Sequence, residues 1–158
     1  RLLLNDCYPA LRHSDYRVNY TVCGFSVEEA KEIIKTRPQQ LSLQEIFNVA
    51  QTYEPGSEEF NHAFQVAALM FPDDATANLN AAAMEIQKGG DLSAAKKYLL
   101  KASPDEGATL NNLGIVALLE GDQDAAEKYF NRAREAGCAT EAEANLKELN
   151  RLRNYPAR

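Results

Sequence analysis

The chain has 158 residues, of which 45% are hydrophobic and 25% charged, so its length predicts one compact domain with a substantial core. Seventeen basic and 23 acidic side chains give a net charge of -6, which disfavours nucleic-acid binding because duplex binders carry a basic surplus or stripe. No apolar run approaches the roughly 20 residues of a membrane-spanning helix, and two His with three Cys offer few groups for metal or catalytic chemistry.

The first 25 residues contain one clear strand pattern. Residues 15–23 alternate in polarity, with Tyr16, Val18, Tyr20 and Val22 on one face, and this period is typical of a β-strand. Residues 2–4 could supply a second strand, although a two-stranded hairpin alone is marginally stable. We therefore expect a short β-strand or hairpin that belongs to a sheet outside this chain, or that pairs with a second copy in a strand-mediated homodimer.

The three cysteines, Cys7, Cys23 and Cys138, show no CxxC spacing. A zinc site needs closely spaced pairs or supporting His, so metal binding is not expected. Cys7 and Cys23 could form a disulfide if their segments lie in adjacent strands. Three ordinary thiols are the favoured interpretation.

From Ser26 onward the hydrophobic period becomes that of helices. Ser26-Val-Glu-Glu29 and Ser42-Leu-Gln-Glu45 are capping boxes, and Thr140-Glu-Ala-Glu143 predicts a further helix start. The pattern predicts eight helices, at about 26–35, 42–53, 57–71, 75–88, 92–102, 107–119, 123–136 and 140–153.

An internal repeat links the later helices. Two stretches superpose without a gap at a separation of 31 residues, placing Gly90 on Gly121 and Ala83 on Gly114. Small residues such as Gly114 allow antiparallel helices to approach closely, and Phe130 is large enough to fill the remaining space. Because one helix pair cannot bury its apolar face alone, neighbouring pairs are expected to stack into a solenoid.

These residues resemble a tetratricopeptide repeat (TPR). The resemblance rests on Leu110-Asn-Asn-Leu-Gly114, followed by Gly121-Asp122, Ala126, Tyr129-Phe130 and Ala133. It implies a mostly α fold in residues 26–158, a TPR-like α-solenoid of antiparallel helix pairs. Its repeats would cover about 42–72, 76–103 and 107–138, and a capping helix would follow at about 140–153.

The TPR resemblance also implies a binding face, because the first helix of each pair lines the concave surface. The matching residues are Asn80, Met84, Gln87, Asn111, Asn112, Ile115 and Leu118, with Glu45 and Val49 in the first unit. The Asn amides could bond a peptide backbone, and the apolar members could receive side chains of the partner. Alternatively, Ile115 and Leu118 pack under neighbouring helices, including helix 27–35, and Asn112 bonds locally.

A second resemblance concerns the start of the chain. Tyr8-Pro9-Ala-Leu-Arg12, followed by Asp15-Tyr-Arg17-Val18-Asn-Tyr20, is similar to the closing strand of an OmpA-like periplasmic domain, as in envelope proteins of Gram-negative bacteria. The resemblance implies that residues 1–25 are the remnant of a preceding OmpA-like domain. It also implies a periplasmic or outer-membrane-associated location, and it carries over no binding residue.

No pattern in the sequence indicates catalysis. Carboxylate pairs such as Glu28-Glu29 lie at helix starts, where the helix dipole stabilises them, and no phosphate-binding glycine motif is present. We therefore expect no enzyme, no cofactor, no small-molecule substrate and no nucleic-acid partner. The expected function is a protein–protein interaction scaffold of the bacterial cell envelope. The alternative is a structural spacer or self-association module of a peptidoglycan-linked OmpA-like outer-membrane protein.

Overall fold

A computed structural model describes residues 24–154 and contains eight α-helices in that range. They are α1 (Val27–Thr36), α2 (Leu43–Ala50), α3 (Glu58–Met70), α4 (Ala75–Gln87), α5 (Leu92–Leu99), α6 (Gly107–Leu119), α7 (Gln123–Glu135) and α8 (Ala139–Asn154). A 3-10 turn, Pro38–Gln40, joins α1 to α2. The expected mostly helical fold is confirmed. The predicted strand or hairpin, the OmpA-like segment, Cys7 and Cys23 fall in residues 1–23, outside the described range.

The capping boxes predicted at Ser26 and Ser42 are confirmed. The Ser26 and Ser42 side chains each accept from the backbone N–H three residues later, and Glu29 and Glu45 accept in return from the capping residues. Each box thus satisfies free amides of a first turn. The helix expected at about 140–153 is confirmed as α8, but Thr140 does not cap it, because α8 begins at Ala139 and the Ala142 N–H donates to the Cys138 carbonyl.

The helices pack mainly in chain order, each against the next, and α6 also contacts α4 and α8. Helices α6 and α7 pack antiparallel. Gly107 at the start of α6 lies beside Ala136, just after the end of α7, and Gly114 lies beside Phe130. Similarly, Arg153 near the end of α8 contacts Asp124 at the start of α7.

Small side chains bring these helices into close contact. Ala82 and Ala95 are fully buried with Leu99 in one cluster, while Ala126 and Phe130 are fully buried with Leu149 in the next. A Cβ added to Gly114 would lie 2.5 Å from Phe130 Cε1. The glycine is therefore required by the size of the ring that packs against it.

The structure changes the register of the repeat. Helices α5 and α7 are 31 residues apart, as predicted, but both ends of α4 and α6 are 32 residues apart. Consequently Ala82, and not Ala83, corresponds to Gly114, and both are buried whereas Ala83 is half-buried. The gapless superposition upstream of Gly90 is therefore wrong by one residue.

The additional residue lies in the turn between α4 and α5. After α6, the Asp122 N–H donates to the Ala117 carbonyl, and its carboxylate caps α7 by accepting from the Ala125 N–H. After α4, two residues divide these roles, because the Gly90 N–H closes the helix end and Asp91 caps α5. Gly89 and Gly121 both have positive φ, +63° and +87°, as this type of helix end requires.

Candidate partner-binding face

The predicted binding residues lie on α4 and α6, and the corrected register determines which of them are equivalent. Asn80 corresponds to Asn112, and both side chains are half-buried. Within the described residues, neither amide makes a side-chain hydrogen bond. Ala83 corresponds to Ile115 in the same way. These positions therefore form a matching pair of partly accessible sites on two helices that contact each other.

Met84 and Asn111 are buried, with 8% and 7% of their surfaces exposed. Met84 corresponds to Val116, a core residue, so its side chain belongs to the buried side of α4. The Asn111 Oδ1 accepts from Asn145 Nδ2 at 2.9 Å, which ties α6 to α8. Gln87 is exposed at the end of α4, close to Gly56.

Ile115 and Leu118 are half-buried. They pack against the buried cluster of Ala117, Ala126, Phe130 and Leu149. Part of each side chain therefore serves the contact with α7 and α8, and part remains accessible. The helix that contributes to this burial is α8, the helix expected as a cap at about 140–153, whereas the alternative interpretation had named helix 27–35. Nothing in the sequence around Leu149 specifies which surface of the preceding pair it covers.

The first unit presents a different surface. Val49 is fully buried. Glu45 Oε2 accepts from both the Ser42 N–H and its hydroxyl at 2.7 Å, and Oε1 accepts from the Phe25 N–H at 2.7 Å. These bonds, those from Ser42 first, lower the pKa of Glu45 below its ordinary value. The carboxylate thus attaches the segment before α1 to the start of α2.

The far end is closed by α8. The Arg153 guanidinium donates to Glu127 at 2.6 Å and to Asp124 at 2.9 Å, and these contacts, the Glu127 bond first, raise the pKa of Arg153. Ala142 and Leu149 of α8 are fully buried against the preceding helices. The binding positions of α6 are therefore bordered by α8 on one side and by α4 on the other.

Residues 24–154 contain neither a metal-binding group of side chains nor a membrane-spanning helix. No group of three His, Cys, Asp or Glu side chains is arranged to hold a metal ion. No helix in this part of the chain combines the length and apolar character needed to cross a membrane.

Comparison with models of known protein families gives no match for this chain, and comparison with curated proteins gives none either.

Proposed function

We propose that the helical part of this chain is a TPR-like α-solenoid that acts as a non-enzymatic scaffold for protein–protein interaction. The observation that carries the proposal is the matched pair of partly accessible positions on α4 and α6, Asn80 with Asn112 and Ala83 with Ile115. A repeated amide with an apolar neighbour can bond a peptide backbone and accept its side chains at regular intervals.

The proposed face consists of Asn80, Asn112, Ile115 and Leu118, with Gln87 at its edge. Asn111 and Met84 support it from below, since both are buried. An extended peptide or a partner helix is the ligand suited to such a face, because the two amides are equivalent positions of successive helix pairs. A cell-envelope location, periplasmic or outer-membrane-associated, is proposed from the OmpA-like resemblance of residues 1–25.

Site-specific photocrosslinking tests this face. A benzophenone amino acid is placed at Asn80, at Asn112 or, as control, at Asn131, which is also half-buried but lies on α7 and bonds within its own helix. We expect one partner protein to be crosslinked from Asn80 and Asn112 and not from Asn131. Equal crosslinking from all three positions, or none from Asn80 and Asn112, would contradict the proposed face.

The alternative is a structural spacer or self-association module. The contact between Phe25 and Glu45 favours it, because this contact holds the preceding segment against the helices. Light scattering at increasing concentration separates the two modes. A monomer at all concentrations excludes self-association, whereas a dimer that persists after charge or apolar substitution on α4 and α6 supports it.

A further inference from the structure

The surface of α5 carries a cleft of unusual charge for this acidic protein. It has a volume of about 490 Å³ and is lined by Ala94, Lys97, Tyr98, Leu100 and Lys101. Leu100 is 83% exposed, more than any other large hydrophobic residue in the described range. The other four clefts described in residues 24–154 each include at least two carboxylates, and this one includes none.

The cations of the cleft are unpaired. Lys96 Nζ lies 2.6 Å from Glu120, but within the described residues no carboxylate lies within 4.0 Å of the ammonium group of Lys97 or Lys101. Both side chains are exposed beside Leu100. An exposed leucine beside two unpaired cations is best matched by a partner segment that is both apolar and negatively charged.

The equivalent cleft on α7 provides a comparison within the same molecule. It is lined by Ala125, Lys128, Tyr129 and Arg132, each 31 residues after its counterpart, and also by Asp122 and Asp124. Arg132 pairs with Asp105 at 3.4 Å. Asn131 replaces Leu100, and Asp124 replaces Ser93. The same fold thus forms a cleft with two carboxylates on α7 and, on α5, a cleft with no carboxylate and an exposed leucine.

We propose that the α5 cleft binds an acidic segment of a partner protein, one in which leucine or phenylalanine lies between carboxylates. This second surface is separate from the face proposed on α4 and α6. An anionic membrane is a poorer match, because lipid-binding clusters contain about four to eight basic residues. The cleft has two, Lys97 and Lys101.

The test uses the full chain, labelled with ¹⁵N, and a short synthetic peptide in which leucine and phenylalanine lie between glutamate pairs. We expect amide shifts in residues 94–102, and none with the same peptide carrying lysine in place of glutamate. Shifts confined to α4 and α6 would overturn this proposal and would leave the face of the proposed function intact.

Matched variants give the quantitative readout. The double substitution Lys97→Glu and Lys101→Glu is expected to weaken peptide binding by at least about tenfold. Lys128→Glu with Arg132→Glu makes the same charge change at the equivalent cleft and should alter binding by less than about twofold. Equal weakening by both double variants would overturn the proposal, because it would indicate long-range charge alone.

Ser93→Asp is a milder variant that keeps the fold, since an acidic residue in the first turn favours the helix. It introduces into the first turn of α5 the carboxylate that Asp124 provides in α7, and should weaken binding of the acidic peptide. Two further results would overturn the proposal. One is binding to phosphatidylglycerol vesicles through Lys97 and Lys101 without peptide binding; the other is a dimer of this chain that these substitutions abolish.

Discussion

At the scale of single residues, the contact between α6 and α7 depends on the absence of a side chain at Gly114. Gly114 faces the Phe130 ring, and the equivalent positions in the preceding pair hold Ala82 and Leu99 in one cluster. The two helix pairs therefore fill the same position with side chains of similar total size: glycine with phenylalanine in one pair, and alanine with leucine in the other. This complementarity predicts the outcome of exchanging them.

Gly114→Ala is expected to lower the free energy of unfolding by about 1–3 kcal/mol, because the added Cβ overlaps the Phe130 ring. Adding Phe130→Leu should recover part of the loss, since this recreates the Ala82 and Leu99 combination. Urea denaturation of the two single variants and the double variant measures the coupling between them. Strictly additive losses would show that the ring and the glycine do not constrain each other.

Glu45 predicts a dependence of stability on pH. Its pKa is lowered in the folded chain by bonds from Ser42 and Phe25, so its contribution to stability is complete above the ordinary value of 4.5. That contribution is lost as the pH falls through the lower folded-state pKa. The difference in unfolding free energy between the wild type and Glu45→Gln should therefore shrink on acidification.

Glu29→Gln is the control for this experiment, because Glu29 belongs to the other capping box and its pKa is also lowered, mainly by the Ser26 backbone N–H. Both variants should show a similar pH trend. Only Glu45→Gln should accelerate hydrogen exchange at the Phe25 amide, which donates to Glu45. Equal exchange in both variants would show that Glu45 does not hold this segment.

At the scale of elements, α8 closes the series through two fully buried residues, Ala142 and Leu149, and a few polar contacts. Leu149 is fully buried, whereas Leu152 is half-buried, so the two leucines of one helix form a natural comparison. The bond from Asn145 to Asn111 adds a link to α6. Loss of α8 packing would therefore loosen the border of the proposed binding face.

Leu149→Ala is expected to lower the free energy of unfolding by about 2–5 kcal/mol, as large-to-small changes in a closed core do. Leu152→Ala should cost clearly less. Urea denaturation measures both variants, and hydrogen exchange at Ile115 and Leu118 tests whether α8 protects the face. Equal losses for Leu149 and Leu152 would mean that α8 is not held by its buried leucine.

The turn between α4 and α5 has one residue more than the turn between α6 and α7, and the shorter turn makes the same helix-end and capping bonds. Asp122 closes α6 and caps α7, so Asp91 should perform both roles if Gly90 is removed. Deleting Gly90 is expected to change the free energy of unfolding by less than about 1 kcal/mol. Deleting Ala82 inside α4 shifts every later residue of that helix and should prevent cooperative unfolding in the same urea experiment.

At the scale of the whole molecule, the helices were predictable and their mutual register was only partly so. Capping boxes and hydrophobic period located the eight helices, because these signals are local. The Gly89-Gly90 pair, set against the single Gly121, was the available signal for the additional residue. Aligning Gly90 with Gly121 obscured it, so Met84 was assigned to the binding face and is in fact buried.

The binding face itself depends on contacts that no local pattern contains. The bond between Asn145 and Asn111 joins side chains 34 residues apart, and Leu149 covers a surface formed by two other helices. No local sequence pattern indicates the α5 cleft. The available signal is the difference between the two repeats, where Ser93 corresponds to Asp124 and Leu100 to Asn131. This comparison needs only the 31-residue spacing of α5 and α7, which the sequence shows correctly.

The three-residue connections that follow α6 and α7 have a consequence for how such a chain can change in length. Gly137 and Cys138 end α7 with the same bonds that Gly121 and Asp122 make after α6, and α8 follows directly. A duplicated helix pair inserted at this junction would meet the same geometry at both its ends. An additional helix pair is therefore accommodated most readily just before α8, where the helix end has the same backbone bonds as the end of α6.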